Sequence, residues 1–354
     1  MGRVCQPRPS PFRRSFRASP DTAGHGPLRC REYAASATTQ WPVSMSPSVP
    51  LSADALIERI RIDIRRTGDA PDLAARHEHF YLVMQALRSE ILALSAREPD
   101  DASVVRCIRV FHEEIAAFKQ AHAIARLPYS PDVDRRYPFR DAAGNPVYVD
   151  TLESTGRPAL GPRSYSADPV RPYLEADATP EVRGAHYHGR LHCRTMTPAD
   201  LRDPREGALV GERGVFAARR IEAGECLGVY GGRLMTPATH YTCLDDAYVL
   251  STSADGLESS VDGENILAMA NTVFAYEGEH AVNQADDGYT MEAAVFQATT
   301  RCGRRLAIRA FFAIETVQAG DELRWNYRYA PALIQQRFGG LPAGALTAES
   351  ASAA

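Results

Sequence analysis

Lysine is almost missing from this chain: of its 40 basic residues, Lys119 is the single lysine and all the others are arginine. Two explanations stay open. A GC-rich genome favours arginine codons, and a protein delivered into a eukaryotic cell gains by lacking the amines to which ubiquitin attaches. No CxxC pair occurs among the seven cysteines, at 5, 30, 107, 193, 226, 243 and 302. Neither a zinc framework nor a disulfide scaffold is therefore indicated, and the cysteines read as reduced thiols. No apolar run approaches the ~20 residues of a membrane span. The net charge of -4 over 354 residues gives no global basic field, which removes nucleic acid as the default partner. The length suffices to bury a core without staples, as one domain with an appendage or as two.

What is there divides by composition. Residues 1–50 are rich in Ser, Pro and Arg, nearly free of acids and without apolar periodicity. Such a stretch cannot offset the entropy of ordering, so a disordered leader is expected. It reads as an organellar transit peptide, as a bacterial type III secretion signal, or as an artefact of translation that starts at Met45. Met1-Gly2 invites myristoylation, but Gln6 stands where the pattern wants Ser or Thr. Residues 51–127 change to helical period. Leu56, Ile60 and Ile64 form one stripe ended by Thr67-Gly68; Leu73, Phe80, Met84, Leu87, Ile91 and Leu94 a second, stopped near Pro99; Val104, Ile108, Phe111, Ile115 and Phe118 a third. Three amphipathic helices predict a small antiparallel bundle, suited to docking or packing. His77, His79, His112 and His122 are expected on helix surfaces. Residues 128–200, dense in Pro, Gly, Tyr and Asp, read as an irregular linker with short strands. There His186, His188, His192 and Cys193 are of zinc-ligand type. Their spacing fits no closed module, and Arg183, Arg190 and Arg194 would oppose a cation, so no metal is expected. Residues 341–354 read as a disordered tail.

The stretch Arg305–Tyr329 carries the clearest pattern. Leu306, Ile308, Ala310, Phe312 and Ile314 alternate as in a strand with one buried face, Gln318-Ala319-Gly320-Asp321 supplies a turn, and a hairpin-like strand pair is predicted. The same order occurs upstream: Phe216-Ala217, Ile221, Ala223-Gly224-Glu225, Leu227 and Tyr230 answer to Phe312-Ala313, Val317, Ala319-Gly320-Asp321, Leu323 and Tyr327. The two stretches are expected to be paired elements of one fold.

Taken together, positions 211 to 329 resemble the SET domain of protein lysine methyltransferases. Gly211-Glu212-Arg213-Gly214-Val215-Phe216-Ala217 is similar to the family's opening Gly-x-Gly-Val-Phe-Ala, with looser glycine spacing. Ile221 to Gly232 follows as the second strand pair, Tyr248-Val249-Leu250 as the Tyr-containing strand beside the substrate channel, and Val261-Asp262-Gly263 as the Ile-Asp-Ala before the central motif. Phe311-Phe312-Ala313 through Leu323-Arg324-Trp325-Asn326-Tyr327 matches the family's closing motif. The implied fold is a mainly β, SET-like domain of short strands and turns over residues 201–340, preceded by the helical bundle, α+β overall.

The resemblance implies S-adenosylmethionine as cofactor and a lysine side chain of a partner protein as acceptor. Methyl transfer to an amine is an in-line displacement, aided by positioning and by oxygens around the methyl. Tyr327 matches the active-site tyrosine and Tyr248 a channel wall; Arg213, Gly214, Val215, Phe216, Tyr230, Asn271 and Thr272 fall on cofactor-binding positions. Gly214 is the position where a missing Cβ would let the backbone approach the cofactor. Each residue also has a plain reading: strand-end tyrosines pack in cores, and Gly-Glu-Arg-Gly is a common turn composition. The sequence departs from the family in three places. Of the central Asn-His-Ser-Cys motif only Asn271 remains, with His280 or Asn283 as candidates to replace part of it; the closing Asp-Tyr is Asn326-Tyr327; and flanking zinc modules are missing, leaving Ile334–Phe338, as a short helix, to close the pocket. The expected function is a methyltransferase secreted by a bacterium into a host, its helical region binding a secretion chaperone or the target. The alternatives are a housekeeping enzyme of the bacterial cytoplasm and a SET-like binding module without catalysis.

Overall fold

The computed structural model describes residues 51–98, 102–159 and 161–338. The leader 1–50 and the tail 341–354, about which the sequence raises expectations, lie outside the described residues.

Three helices come first: α1 (Ala53–Thr67), α2 (Leu73–Arg97) and α3 (Ala102–His122). Their starts and stops follow local chemistry. Ser52 Oγ accepts from Ala55 N and Asp72 Oδ1 from Ala75 N, capping α1 and α2, and Gly68 ends α1. The three apolar stripes face one another, and the Phe80 and Phe118 rings stack at 3.8 Å. His77 departs from its expected surface position. It is buried, with Nε2 donating to His122 O at 2.9 Å and Nδ1 3.3 Å from Thr242 Oγ1.

Residues 128–200 hold β1 (Phe139–Arg140), β2 (Val149–Leu152), β3 (Thr155–Pro158), β4 (Tyr165–Ser166), α4 (Arg171–Leu174), α5 (Pro180–His188) and β5 (Leu191–Thr195). The expected linker has two helices besides its strands, and its Phe139, Leu152, Tyr173, Tyr187 and Leu191 sit in the main core. Aromatic and apolar residues spaced without a period contribute to a core as readily as periodic ones, once neighbouring strands set their direction.

Then follow β6 (Arg213–Ala217), β7 (Cys226–Val229), β8 (Gly232–Met235), α6 (Pro237–Tyr241), β9 (Val249–Ala254), β10 (Leu257–Gly263), β11 (Phe274–Glu277), β12 (His280–Gln284), β13 (Met291–Thr300), β14 (Arg305–Ala313) and α7 (Pro331–Phe338). The main sheet runs β1-β8-β10-β9-β14-β13-β3-β4, with β2 added on β13 and β7 on β14. Two small ribbons, β5-β6 and β11-β12, stand apart. The protein is thus mainly β, built of short strands, behind a helical region.

The predicted hairpin over Arg305–Tyr329 forms differently. β14 pairs along its length with β13, and residues after the Gly320 turn make no regular strand with it. The two echoed stretches pair instead with each other. Gly224 N donates to Ala313 O and Gly320 N to Ala217 O, both at 2.8 Å, while Ala313 N donates to Glu225 O and Ala217 N to Asp321 O. Both glycines have positive φ, +84° and +92°, which only glycine adopts freely.

The bundle is fixed to the sheet by buried charge. Arg233 Nη2 donates to Ala125 O, Leu127 N to Glu264 Oε1, and Arg126 Nε to Gly263 O at 2.7 Å. The Arg126 guanidinium also lies 3.7 Å over the Tyr248 ring.

Candidate functional site

The segment after Gly320 is held between two others. On one side Leu323 N donates to Val215 O of β6 at 2.8 Å; on the other Trp325 N donates to Asn271 O at 3.1 Å, and Thr290 N to Arg324 O at 3.0 Å. This placement brings three distant stretches, 213–216, 270–272 and 322–327, into one site.

A buried ion network locks it. Arg324 is 0% exposed. Its Nε donates to Glu322 Oε2 at 2.6 Å and its Nη2 to Glu206 Oε2 at 3.0 Å, with Nη1 on Glu206 Oε1. The two carboxylates hold the guanidinium above its usual range against the opposing effect of burial. Glu322 Oε1 is left to accept from Asn271 Nδ2 at 2.9 Å, and the same amide reaches Arg213 O at 3.1 Å.

Four phenols gather beside this network. Tyr327 Oη donates to Ala270 O at 2.6 Å, and its ring lies 5.0 Å from Trp325 and 5.3 Å from Tyr329. Tyr230 Oη donates to Tyr248 O at 2.7 Å. Burial, reinforced by the neighbouring phenols, raises the ionisation of Tyr327 well above that of a free tyrosine, and burial does the same for Tyr230. Both rings therefore stay neutral at physiological pH.

The nine residues singled out by sequence fall as follows. Arg213, Gly214, Val215 and Phe216 form β6, alongside Asn271; Thr272 and Tyr327 share one partner, Gln284; Tyr230 and Tyr248 meet through the bond just described. Val215 and Phe216 point into packed surroundings, the latter under the Arg194 guanidinium at 3.5 Å. Gly214 has a reason of its own. A Cβ there would come within 3.0 Å of Met196 Cγ and Phe216 Cε2 and 3.1 Å of Glu322 Oε1, so its openness is used by the chain's own side chains.

Glu206 carried no sequence signal, and Glu322, Ala270 and Gln284 lie within or beside the matched stretches without having been singled out. Neither His280 nor Asn283 fills the altered motif. The residue that meets Thr272 and Tyr327 is Gln284, whose Oε1 accepts from Thr272 Oγ1 at 2.9 Å and from Tyr327 N at 3.0 Å. α7 closes this side. Arg337 pairs with Asp246 at 2.8 Å, and the Phe338 ring lies 4.8 Å from Phe274 and 6.3 Å from Tyr329. Among the described residues no group of three or more His, Cys, Asp or Glu could hold a metal ion. His188 bonds instead to buried Asp134, at 2.9 Å.

No family model matches the chain, and no curated protein does. Among solved structures it is similar to KRYPTONITE in complex with mCHH DNA, an H3(1-15) peptide and SAH, at 19% identity over 33% of this chain and 21% of that one, TM-score 0.25. It is similar to ctPRC2 in an autoinhibited conformation bound to S-adenosylmethionine, at 19% identity over 42% and 16%, TM-score 0.27. A humanized mutant of the Chaetomium thermophilum Polycomb Repressive Complex 2 bound to the inhibitor GSK343 matches at 14% identity over 62% and 35%, TM-score 0.28. The aligned regions span between 16% and 35% of those chains.

Proposed function

We propose that this protein is an S-adenosylmethionine-dependent protein lysine methyltransferase of SET type. The observation that carries the reading is the junction of β6, Asn271 and Tyr327: the positions that resemble the family's opening, central and closing motifs, far apart in sequence, converge on one phenol-lined site. One feature suits the cofactor: the Gln284 Nε2 amide is buried without a partner.

S-adenosylmethionine supplies an electrophilic methyl on a positively charged sulfur. The residues supply position and polarity. Tyr327 gives its O–H to Ala270 O, so its oxygen lone pairs are available to accept an N–H of an acceptor amine and fix the nitrogen for in-line attack. None of the buried phenols serves as a base, because burial opposes their ionisation. The amine proton is therefore lost to solvent before transfer. Tyr248, with its backbone tied to Tyr230 and its face under Arg126, forms a wall at which an aliphatic lysine chain would pack.

We place the action of the enzyme on a host protein after secretion, with the helical region engaging a chaperone or the target; the single lysine of the chain supports delivery into a host. The experiment is transfer of labelled methyl to a host protein lysate, compared between the wild type and Tyr327→Phe. Equal labelling by the two removes Tyr327 from the reaction.

A further inference from the structure

Gln284 is 9% exposed, and its amide orientation is fixed by its partners. Tyr327 N can only donate, so the atom facing it is the oxygen, and Thr272 Oγ1 donates to the same atom. The nitrogen is thereby turned away from both and has no hydrogen-bond partner. A buried amide N–H left without an acceptor is destabilising. An unpaired buried donor calls for an explanation, and a ligand that accepts from it is one.

The surroundings define the ligand. Gln284 ends β12 directly across from Phe274 of β11. Phe274 begins a run of aromatic rings that passes through Phe338, Tyr329 and Tyr327 to Trp325, with centroid spacings of 4.8, 6.3, 5.3 and 5.0 Å. A fixed donor across from the first ring of this aromatic chain suits a flat heteroaromatic ring that offers an acceptor nitrogen.

We infer that Gln284 Nε2 donates to a ring nitrogen of the adenine of S-adenosylmethionine, and that the β11-β12 ribbon with α7 forms the base pocket. The inference rests on the methyltransferase reading. Gln284 thereby binds the base, holds Thr272 and anchors the backbone of Tyr327 with one side chain, which couples base binding to the position of the phenol.

The test is calorimetric titration of the full chain with S-adenosylhomocysteine and with its 1-, 3- and 7-deaza analogues. For the wild type, one analogue should bind about tenfold more weakly than the parent, the loss that one hydrogen bond of about 1.4 kcal/mol gives. Gln284→Met, which keeps the length and removes the donor, should bind parent and analogues alike. Gln284→Glu, which keeps the oxygen that Thr272 and Tyr327 use, should lose at least tenfold for the parent. Wild type that binds parent and all three analogues equally overturns the inference alone, and so does Gln284→Glu with unchanged affinity. Wild type that gives no heat with the parent overturns the methyltransferase reading and the inference with it.

Discussion

Asn271 Nδ2 donates to Glu322 Oε1 at 2.9 Å, the side-chain counterpart of the bond from Trp325 N to Asn271 O, and together they tie the loop before β11 to the segment that ends in Tyr327. The amide also reaches Arg213 O, so three parts of the site depend on it. Asn271→Ala leaves Glu322 Oε1 and Arg213 O without this donor. The expected loss is about 1–3 kcal/mol of folding stability, read by urea denaturation, together with weaker S-adenosylhomocysteine binding. Asn271→Asp should cost more, because a second carboxylate would face Glu322.

The ion network predicts a larger effect. Arg324 is fully enclosed and balanced by Glu206 and Glu322. Breaking a buried pair by removing one partner costs about 3–5 kcal/mol. Glu206→Ala should fall in that range by denaturant titration, whereas the exposed pair Arg220–Glu222 should tolerate alanine at either position with little change in midpoint.

Methyl transfer should rise with pH as the acceptor amine loses its proton. Because burial raises the ionisation of Tyr327 and Tyr230 above the ordinary 10.0, no downturn from either phenol is expected below pH ~10. A rate profile that falls between pH 8 and 9, with protein still folded by circular dichroism, would assign the downturn to another group.

Stability should fall in mild acid. Burial lowers the affinity of His77 for a proton below that of an ordinary histidine, 6.5. In the unfolded chain the imidazole binds its proton near 6.5, in the folded chain only at lower pH. The unfolded state therefore holds more protons in that window, and stability is lost as pH drops through 6.5. The bond to His122 O opposes this, while the charges of the His122 ring, Arg76 and Arg233 act in the same direction as burial. Asp262, whose carboxyl burial raises to about 6, acts oppositely: its unfolded form is the more ionised between 3.8 and 6, so its protonation favours the fold as pH falls. The midpoint of thermal unfolding should drop from pH 7.5 to 5.5, and His77→Gln should show a shallower drop.

Parts of this architecture were legible in the residues. The stripes through Ile60, Leu87 and Phe111 mark three helices because burial repeats with the helix turn, and Gly224 and Gly320 mark matched corners because their φ values require glycine. Ile221 and Val317, equivalent in the echo, exchange both backbone bonds at 2.9 Å. The hairpin misreading has a physical source. Alternation identifies a strand but not its partner, and Leu323 finds β6 where proximity in sequence suggested β14. Glu206 and Arg324 lie 118 positions apart, and Gln284 and Tyr327 lie 43 apart. Their bonds depend on tertiary placement, which no local pattern encodes. His77 differs for the same reason: its stripe position gives a helix face, and the end of α3 and α6 packing on that face bury it.

The central claim is tested most directly by isothermal titration of the full chain with S-adenosylmethionine, since binding needs no knowledge of the target. The account predicts saturable one-to-one heat that Tyr327→Phe leaves within about twofold and that Gln284→Glu weakens about tenfold or more. No heat at millimolar cofactor, from protein shown to be folded, would contradict it.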